Sequence, residues 1–279
     1  MSRPVAGAPA SPMLACAMTE AVTGAAFDRR YREWRLEEKL DGHRVLAVVE
    51  PKSVTAWSRP RGSAAPNPRT LSPAIVDQLR RLSPGVYDGE LVAPGGHAWD
   101  VVRTDARTVL VLFDVLEVGG QSLLTTTYLA RRLCLLRELR RLSVRQEVVT
   151  TVESVPATWH AVLGIWARGG EGAVLKRPES MYQPGVRSPA WVKVKQLHHA
   201  TLTVTGFDAG KSGPCSAFIL RDDTGVCTTV KVLGHAMLRD VTARPAHYIG
   251  RRVVITYQQR TPSGTYRHGM FDHFASEDE

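Results

Sequence analysis

Lys39 lies in the stretch Glu37-Glu38-Lys39-Leu40-Asp41-Gly42-His43-Arg44, between carboxylates and just ahead of a turn and an arginine. The covalent chemistry open to a lysine is attack by its amine, which requires the deprotonated form. Burial and nearby cations favour that form. Arg44 adds a planar fork suited to phosphate or ribose oxygens. A second reading stands beside this one on the same residues. Asp-Gly is a common hairpin turn, so the stretch could be a charged turn between two strands.

Further clusters carry compatible chemistry. Asp88-Gly89-Glu90-Leu91 ends an expected strand and offers a carboxylate to a ribose hydroxyl or a metal. Phe113-Asp114 ends another and offers an aromatic face. Glu171-Gly172 precedes an apolar strand that ends at Lys176. Arg187 precedes Trp191-Val192-Lys193-Val194-Lys195, and strand alternation puts Lys193 and Lys195 on one face, where a phosphate would relieve their repulsion. Arg59-Pro60-Arg61-Gly62 is a basic loop. Taken singly, each has an ordinary structural reading: a turn, a core aromatic, a solvated edge.

In this order and spacing the clusters resemble the covalent nucleotidyltransferase superfamily, specifically ATP-dependent DNA ligases of a minimal bacterial type similar to the ligase module of end-joining repair systems. The resemblance runs from Pro12-Met13-Leu14-Ala15 through Glu171-Gly172-Ala173-Val174-Leu175-Lys176 and Tyr182-Gln183-Pro184-Gly185-Val186-Arg187-Ser188 to Trp191–Lys195. It implies an α+β fold, with an adenylation domain of antiparallel sheets flanked by helices over 13–197. A small OB-fold β-barrel over 198–279 would follow. It also implies that Lys39 attacks the α-phosphate of ATP and holds AMP, which then passes to the 5′-phosphate of a nick for sealing. Glu37 would read the adenine edge and Phe113 would stack on the ring. Arg44 and Glu90 would hold the ribose side, and Arg59 would contact AMP or the 5′-phosphate. Arg187, Lys193 and Lys195 would face phosphates, and Glu171, with Glu90, would bind Mg2+ or Mn2+. The implied partners are nicked double-stranded DNA and DNA end-joining or repair proteins, with the chain acting as a monomer.

The end of the chain departs from that pattern. Ligases of this type carry a basic motif after Arg-His-Pro, whereas here Arg267-His268 is followed by Gly269, then Asp272-His273-Phe274-Ala275-Ser276 and the acidic Glu277-Asp278-Glu279. Arg267, Arg260 or Arg251 are the candidates to compensate in the first step. Two rivals follow: an RNA ligase or capping-type nucleotidyltransferase, and a non-catalytic nick-binding module. Gly206-Phe207-Asp208-Ala209-Gly210-Lys211-Ser212 imitates a phosphate-binding loop but is one residue short of it. It reads instead as a surface turn, with Lys211 available to DNA.

The elements that must position these groups can be read from periodicity. Helices are expected over 27–34, 73–82, 128–142 and 158–167. In the third, Leu129, Leu133, Leu136 and Leu139 would form the apolar side, with Arg131, Arg132, Arg137, Arg140 and Arg141 on a solvated basic face. Strands are expected over 45–49 and 54–57, as a hairpin around Pro51-Lys52, and over 86–92, 108–116, 173–176 and 191–195. Residues 60–68 read as a loop. After Leu197, short strands over 201–207, 216–220, 227–233 and 252–257 predict the small barrel. Residues 1–12 are expected to be disordered.

Composition sets the outer bounds. The chain has 279 residues, 43% of them hydrophobic, and a net charge of +9, which favours a polyanionic partner. Its four cysteines form no Cys-x-x-Cys pair, which argues against a zinc ribbon. No apolar run approaches the roughly 20 residues of a membrane span. The start lacks the apolar core of a signal peptide. The expectation is a soluble, cytoplasmic, nucleoid-associated protein.

Overall fold

A computed structural model describes residues 9–18, 22–59, 66–95, 97, 98, 100–102, 107–142, 148–210, 213–232 and 234–276. Residues 1–8, the basic loop beyond Arg59, Lys211-Ser212 and the acidic tail lie outside these described residues. The chain divides into two compact units, one up to Val194 and one from Lys195.

In chain order the first unit contains β1 (Leu14–Ala17), α1 (Gly24–Arg30), β2 (Arg35–Glu38), β3 (His43–Val49), β4 (Val54–Ser58), β5 (Asn67–Pro68), α2 (Pro73–Leu79) and β6 (Gly85–Val92). It continues with β7 (Val109–Val118), β8 (Gln121–Ser122), α3 (Tyr128–Leu139), β9 (Val149–Thr151), β10 (Ser154–Pro156), α4 (Trp159–Ala167), β11 (Gly172–Lys176) and β12 (Arg187–Lys195). Two sheets result, ordered β1-β12-β11-β2-β10 and β5-β4-β3-β6-β7-β8, with β9 beside β7. The α+β class is as expected. The sheets are not purely antiparallel, however, because β1 runs parallel to β12 and β9 parallel to β7.

Alternation along β3 explains the layering. Val45, Ala47 and Val49 enter a core shared with α2 and α3, while Leu46 faces a second core with Met13, Leu116, Tyr182 and Trp191. Arg44 shares the face of Leu46. A third core, around Phe27, Leu36, Ile165 and Leu175, joins the other sheet to α1 and α4. Ser72, Thr127 and Thr158 accept from Ile75 N, Ala130 N and Ala161 N and so cap α2, α3 and α4. The first helix starts three residues earlier than expected and ends at Arg30.

α3 follows the expected amphipathic reading only in part, with Leu139 buried and Arg137, Arg140 and Arg141 exposed. Arg131 and Arg132 are buried, whereas Leu129 and Leu133 are exposed. The physical reason is pairing. Arg131 donates from Nε and Nη2 to both oxygens of Asp114 at 2.8 and 3.0 Å, and from Nη1 to the carbonyl of Thr126. Arg132 donates to Thr151 Oγ1 and to the carbonyl of Val152. A guanidinium so satisfied can be buried. Disorder was also expected too far into the chain. The Ser11 carbonyl accepts from Gly185 N at 2.7 Å, and Met13 is fully buried.

The second unit contains β13 (His198–Gly210), β14 (Gly213–Arg221), β15 (Cys227–Lys231), α5 (His235–Ala243), β16 (Arg252–Tyr257), β17 (Gln259–Arg260), β18 (Tyr266–Arg267) and β19 (Met270–Phe274). Its main sheet, β15-β14-β13-β16-β19, is antiparallel and curls into an OB-like half-barrel around Phe218, Leu220, Val253 and Ile255. α5 and β19 were not expected. β19 takes the place of the anticipated basic motif, and His268 turns into it with φ 55°. Gly206–Gly210, the first part of the expected surface turn, lies inside β13, and the remainder, Lys211-Ser212, falls outside the described residues.

Candidate active site

The Lys39 turn is not a hairpin. β2 pairs with β10 and β11, while β3 pairs with β4 and β6, so residues 39–42 carry the chain from one sheet to the other. The glycine is demanded by crowding. A Cβ on Gly42 would lie 2.3 Å from the Leu91 carbonyl oxygen and 2.9 Å from Glu90 Cγ. Lys39 N donates to Gly172 O at 2.8 Å, which fixes the backbone against the start of β11. Its Nζ, at the end of a part-exposed side chain, donates to Glu171 Oε2.

A cleft opens beside this pair. Its walls include Glu37, Lys39, Arg44, Arg59, Glu90, Phe113, Arg187 and Lys193. Eight of the residues expected from sequence therefore converge on one concavity, with Glu171 touching the lysine. Glu37 is buried and already engaged. It accepts from Tyr128 Oη at 2.5 Å and pairs with Lys176 Nζ at 2.5 Å. Arg44 donates from Nε and Nη2 to Asp88, at 2.9 and 2.5 Å. Arg187 Nη1 donates to the Ala15 carbonyl. Phe113 and Trp191 meet edge to face at 6.3 Å, and Lys176 Nζ lies 4.3 Å from the Trp191 ring centroid.

Electrostatics are set chiefly by burial. The Glu90 carboxyl is pushed up to about 8 by desolvation, against the pull of Arg44 and Lys39 and with the push of Asp88 and Glu171. The Lys176 ammonium is lowered by its burial, which the Glu37 carboxylate opposes. Among the described residues no three His, Cys, Asp or Glu side chains cluster as a metal cage. The oxygens of Glu171 and Glu90, in one electrostatic neighbourhood with Lys39, are hard donors, and a bound cation would draw the raised Glu90 carboxyl back to its ionised form. That donor set fits a hard divalent cation completed by water and substrate phosphate.

The family model of the ATP dependent DNA ligase domain matches residues 12–195. The chain belongs to this family. Among ligase relatives, it is 32% identical to a probable DNA ligase of Streptomyces griseus, over 73% of this chain and 43% of that protein. It is 29% identical to the multifunctional non-homologous end joining DNA repair protein LigD of Mycobacterium tuberculosis, over 74% of this chain and 26% of that one. Among solved structures, a Lig E DNA ligase described as binding DNA with a minimal scaffold superposes with a TM-score of 0.70 at 18% identity, over 94% of this chain and 99% of that one. This last match shows the fold. The chain spans less than half the length of those two curated relatives.

Lys195, the last residue of β12 and the first of the second unit, donates from Nζ to Gln258 Oε1 at 3.0 Å within that unit. Two of the arginines named as compensators are also committed within that unit. Arg260 donates to Asp222 and Tyr266, and the Arg251 guanidinium lies 3.9 Å from the Phe274 ring centroid. Sequence reasoning missed Lys176, Trp191, Val174, Leu14 and Ala15 as cleft walls. Lys176 could have been found, because on a strand it shares a side with Val174, and a lysine ending an apolar strand needs a partner.

Proposed function

We propose that this chain is the catalytic part of an ATP-dependent DNA ligase, in which Lys39 becomes covalently adenylylated. The observation that supports this most directly is the convergence of Lys39, Glu171, Glu90, Arg44, Phe113 and Lys193 around one cleft. In the first step the Lys39 nitrogen bonds to the α-phosphorus of ATP, the bond to the bridging oxygen breaks, pyrophosphate leaves and the amine loses a proton. The resulting AMP passes to the 5′-phosphate of nicked double-stranded DNA. The 3′-hydroxyl then displaces AMP and seals the strand.

The residues act mainly by position and charge, as phosphoryl transfer requires. Glu37, beside Lys176, reads the adenine edge and Phe113 takes the ring. Arg44 and Glu90 hold the ribose. Arg59, Arg187 and Lys193 neutralise phosphate oxygens in a cleft partly shielded from water. Glu171 and Glu90 would hold a Mg2+ or Mn2+ ion, which supplies charge neutralisation on phosphate oxygens. We assign residues 13–197 to the adenylation domain and 198–279 to the OB domain, which would contact the DNA backbone. Similarity to LigD, a non-homologous end joining DNA repair protein, supports a repair or recombination setting with end-joining partners.

The absence of arginine from β19 favours one variant of this reading, a chain that seals pre-adenylated nicks faster than it loads itself. The test is a paired assay. Incubation with α-labelled ATP and Mg2+ or Mn2+ should add the mass of one AMP, and Lys39→Ala should abolish it. α-Labelled GTP should not label, and nicked DNA should be sealed in preference to nicked RNA. Sealing of only the pre-adenylated nick would mean that the first step is lost. Normal charging of Lys39→Ala would overturn the assignment of the nucleophile.

A further inference from the structure

Tyr182 belongs to a stretch that the roles above leave without a task, and its hydroxyl lies at the centre of the network behind Arg44. The side chain is buried, with 3% exposure. Its hydroxyl donates to Asp88 Oδ2 at 2.7 Å and accepts from Met13 N at 3.0 Å and from Arg44 Nη2 at 3.3 Å. One donor and two acceptor positions exhaust what a phenol can offer. Burial first, then the Asp88 carboxylate, holds its pKa well above the usual tyrosine value, so the proton stays on. The ring cannot swing easily. It packs edge to face on Trp191 at 5.8 Å, and the Arg131 guanidinium lies 5.6 Å from its centroid.

Counting donors shows what this does to Arg44. A guanidinium has five N–H groups. Nε uses its one on Asp88 Oδ1, and Nη2 uses its two on Asp88 Oδ2 and Tyr182 Oη. Nη1 spends one on the Met13 carbonyl at 2.7 Å. One Nη1 hydrogen remains for a ligand in the cleft that Arg44 lines. Arg44 is thereby converted from a two-pronged fork into a single, oriented donor. That suits one sugar oxygen better than a phosphate edge, which a fork would grip with two bonds. The same hydroxyl ties down Met13, and Leu14 and Ala15 after it form part of the cleft wall.

We propose that Tyr182 is a positioning residue for nucleotide binding, acting through Arg44. It locks the guanidinium and the Met13 backbone so that a single donor meets the ribose. The proposal rests on the ligase reading for the presence of a nucleotide in the cleft. Its effect belongs to binding rather than to the bond-making step, so it should appear in the ATP dependence of Lys39 charging and not in the maximal rate.

The experiment is a double-mutant cycle on the full chain, using Tyr182→Phe, Arg44→Lys and both together. AMP adduct formation is followed by mass against ATP concentration, with thermal unfolding in parallel. Tyr182→Phe keeps the ring and removes only the hydroxyl. It should raise the half-saturating ATP concentration about tenfold, or ~1.4 kcal/mol, and leave the maximal rate within about twofold. In the Arg44→Lys background it should cause no further rise, although its effect on unfolding should persist. Equal effects in both backgrounds would show that Tyr182 acts only through stability and overturn the proposal, as would an unchanged ATP dependence. If Tyr182→Phe does not fold, Asp88→Asn takes its place with the same expectation. A wild-type chain that forms no adduct would instead overturn the ligase reading, so the two failures are distinguishable.

Discussion

Lys39 donates through Nζ to the carboxylate of Glu171, so the crossing between the two sheets and the start of β11 meet at the amine. The pair is only partly shielded, with 25% of the lysine side chain and 8% of the glutamate side chain exposed. Partly exposed pairs contribute little to folding, of the order of 0–1 kcal/mol. Glu171→Gln, which keeps the shape and removes the charge, should therefore hardly move the melting temperature. Lys39 charging at limiting Mg2+ or Mn2+ should fall by at least about 10–100-fold, the loss that follows removal of even an outer-shell partner of a metal ligand. Adduct mass against metal concentration measures this. An unchanged metal dependence would remove Glu171 from the site.

Asp114 and Arg131 form the deepest ion pair among the described residues, with neither side chain exposed to solvent. Removing one partner strands a buried charge, which costs about 3–5 kcal/mol. Asp114→Asn should lose that much stability in urea unfolding. Asp114→Leu with Arg131→Met should recover most of it, because two apolar groups need no partners. If the double variant is no better than the single one, the pair does more than balance charge. Phe113 precedes Asp114 on β7, so the single variant should also weaken nucleotide binding.

These two pairs mark the limits of sequence reading. That Lys39, Glu171, Glu90 and Phe113 come together was legible because short motifs carry them, and the structure gathers them at one cleft and the ion pair beside it. Strands such as β3 and β7 were legible because apolar runs bounded by turns have few other solutions. What hid was pairing across long sequence separations. Arg131 looks like solvent-facing charge until Asp114 is known to lie beneath it. Asp41-Gly42 looks like a hairpin turn until β2 and β3 are seen in different sheets. Lys195 looked like a partner of Lys193 by alternation, which cannot show that Gln258 would take its amine.

The exposed side of α3 allows a direct check. Leu133 is 59% exposed and Leu135 fully buried. Leu133→Gln should change stability by less than about 0.5 kcal/mol. Leu135→Ala should cost about 2–5 kcal/mol through lost contacts and a cavity. Periodicity alone placed Leu133 on the buried side, so a large loss at Leu133 in urea unfolding would restore the expected burial that the structure does not give this residue.

Asp222 organises the second unit and sets its acid stability. Its Oδ1 accepts from Thr224 N at 3.0 Å, Thr224 Oγ1 at 2.7 Å and Val226 N at 2.9 Å. Its Oδ2 accepts from Tyr266 Oη at 2.8 Å and Arg260 Nη2 at 3.1 Å. These bonds, the Thr224 hydroxyl first, outweigh desolvation and hold the carboxyl well below the usual aspartate range. A folded-state pKa below the unfolded one means that the stabilisation is fully present above about pH 3.9 and is lost as the pH falls towards the folded value. Asp222→Asn keeps the size but loses the charge and presents a donor to groups that donate. At about pH 7 it should cost about 1–3 kcal/mol. Near pH 3 the wild-type chain is itself losing this term, so the gap between the two should narrow. Thermal unfolding of both proteins across that range decides the matter, and a gap independent of pH would show that the Asp222 charge contributes nothing.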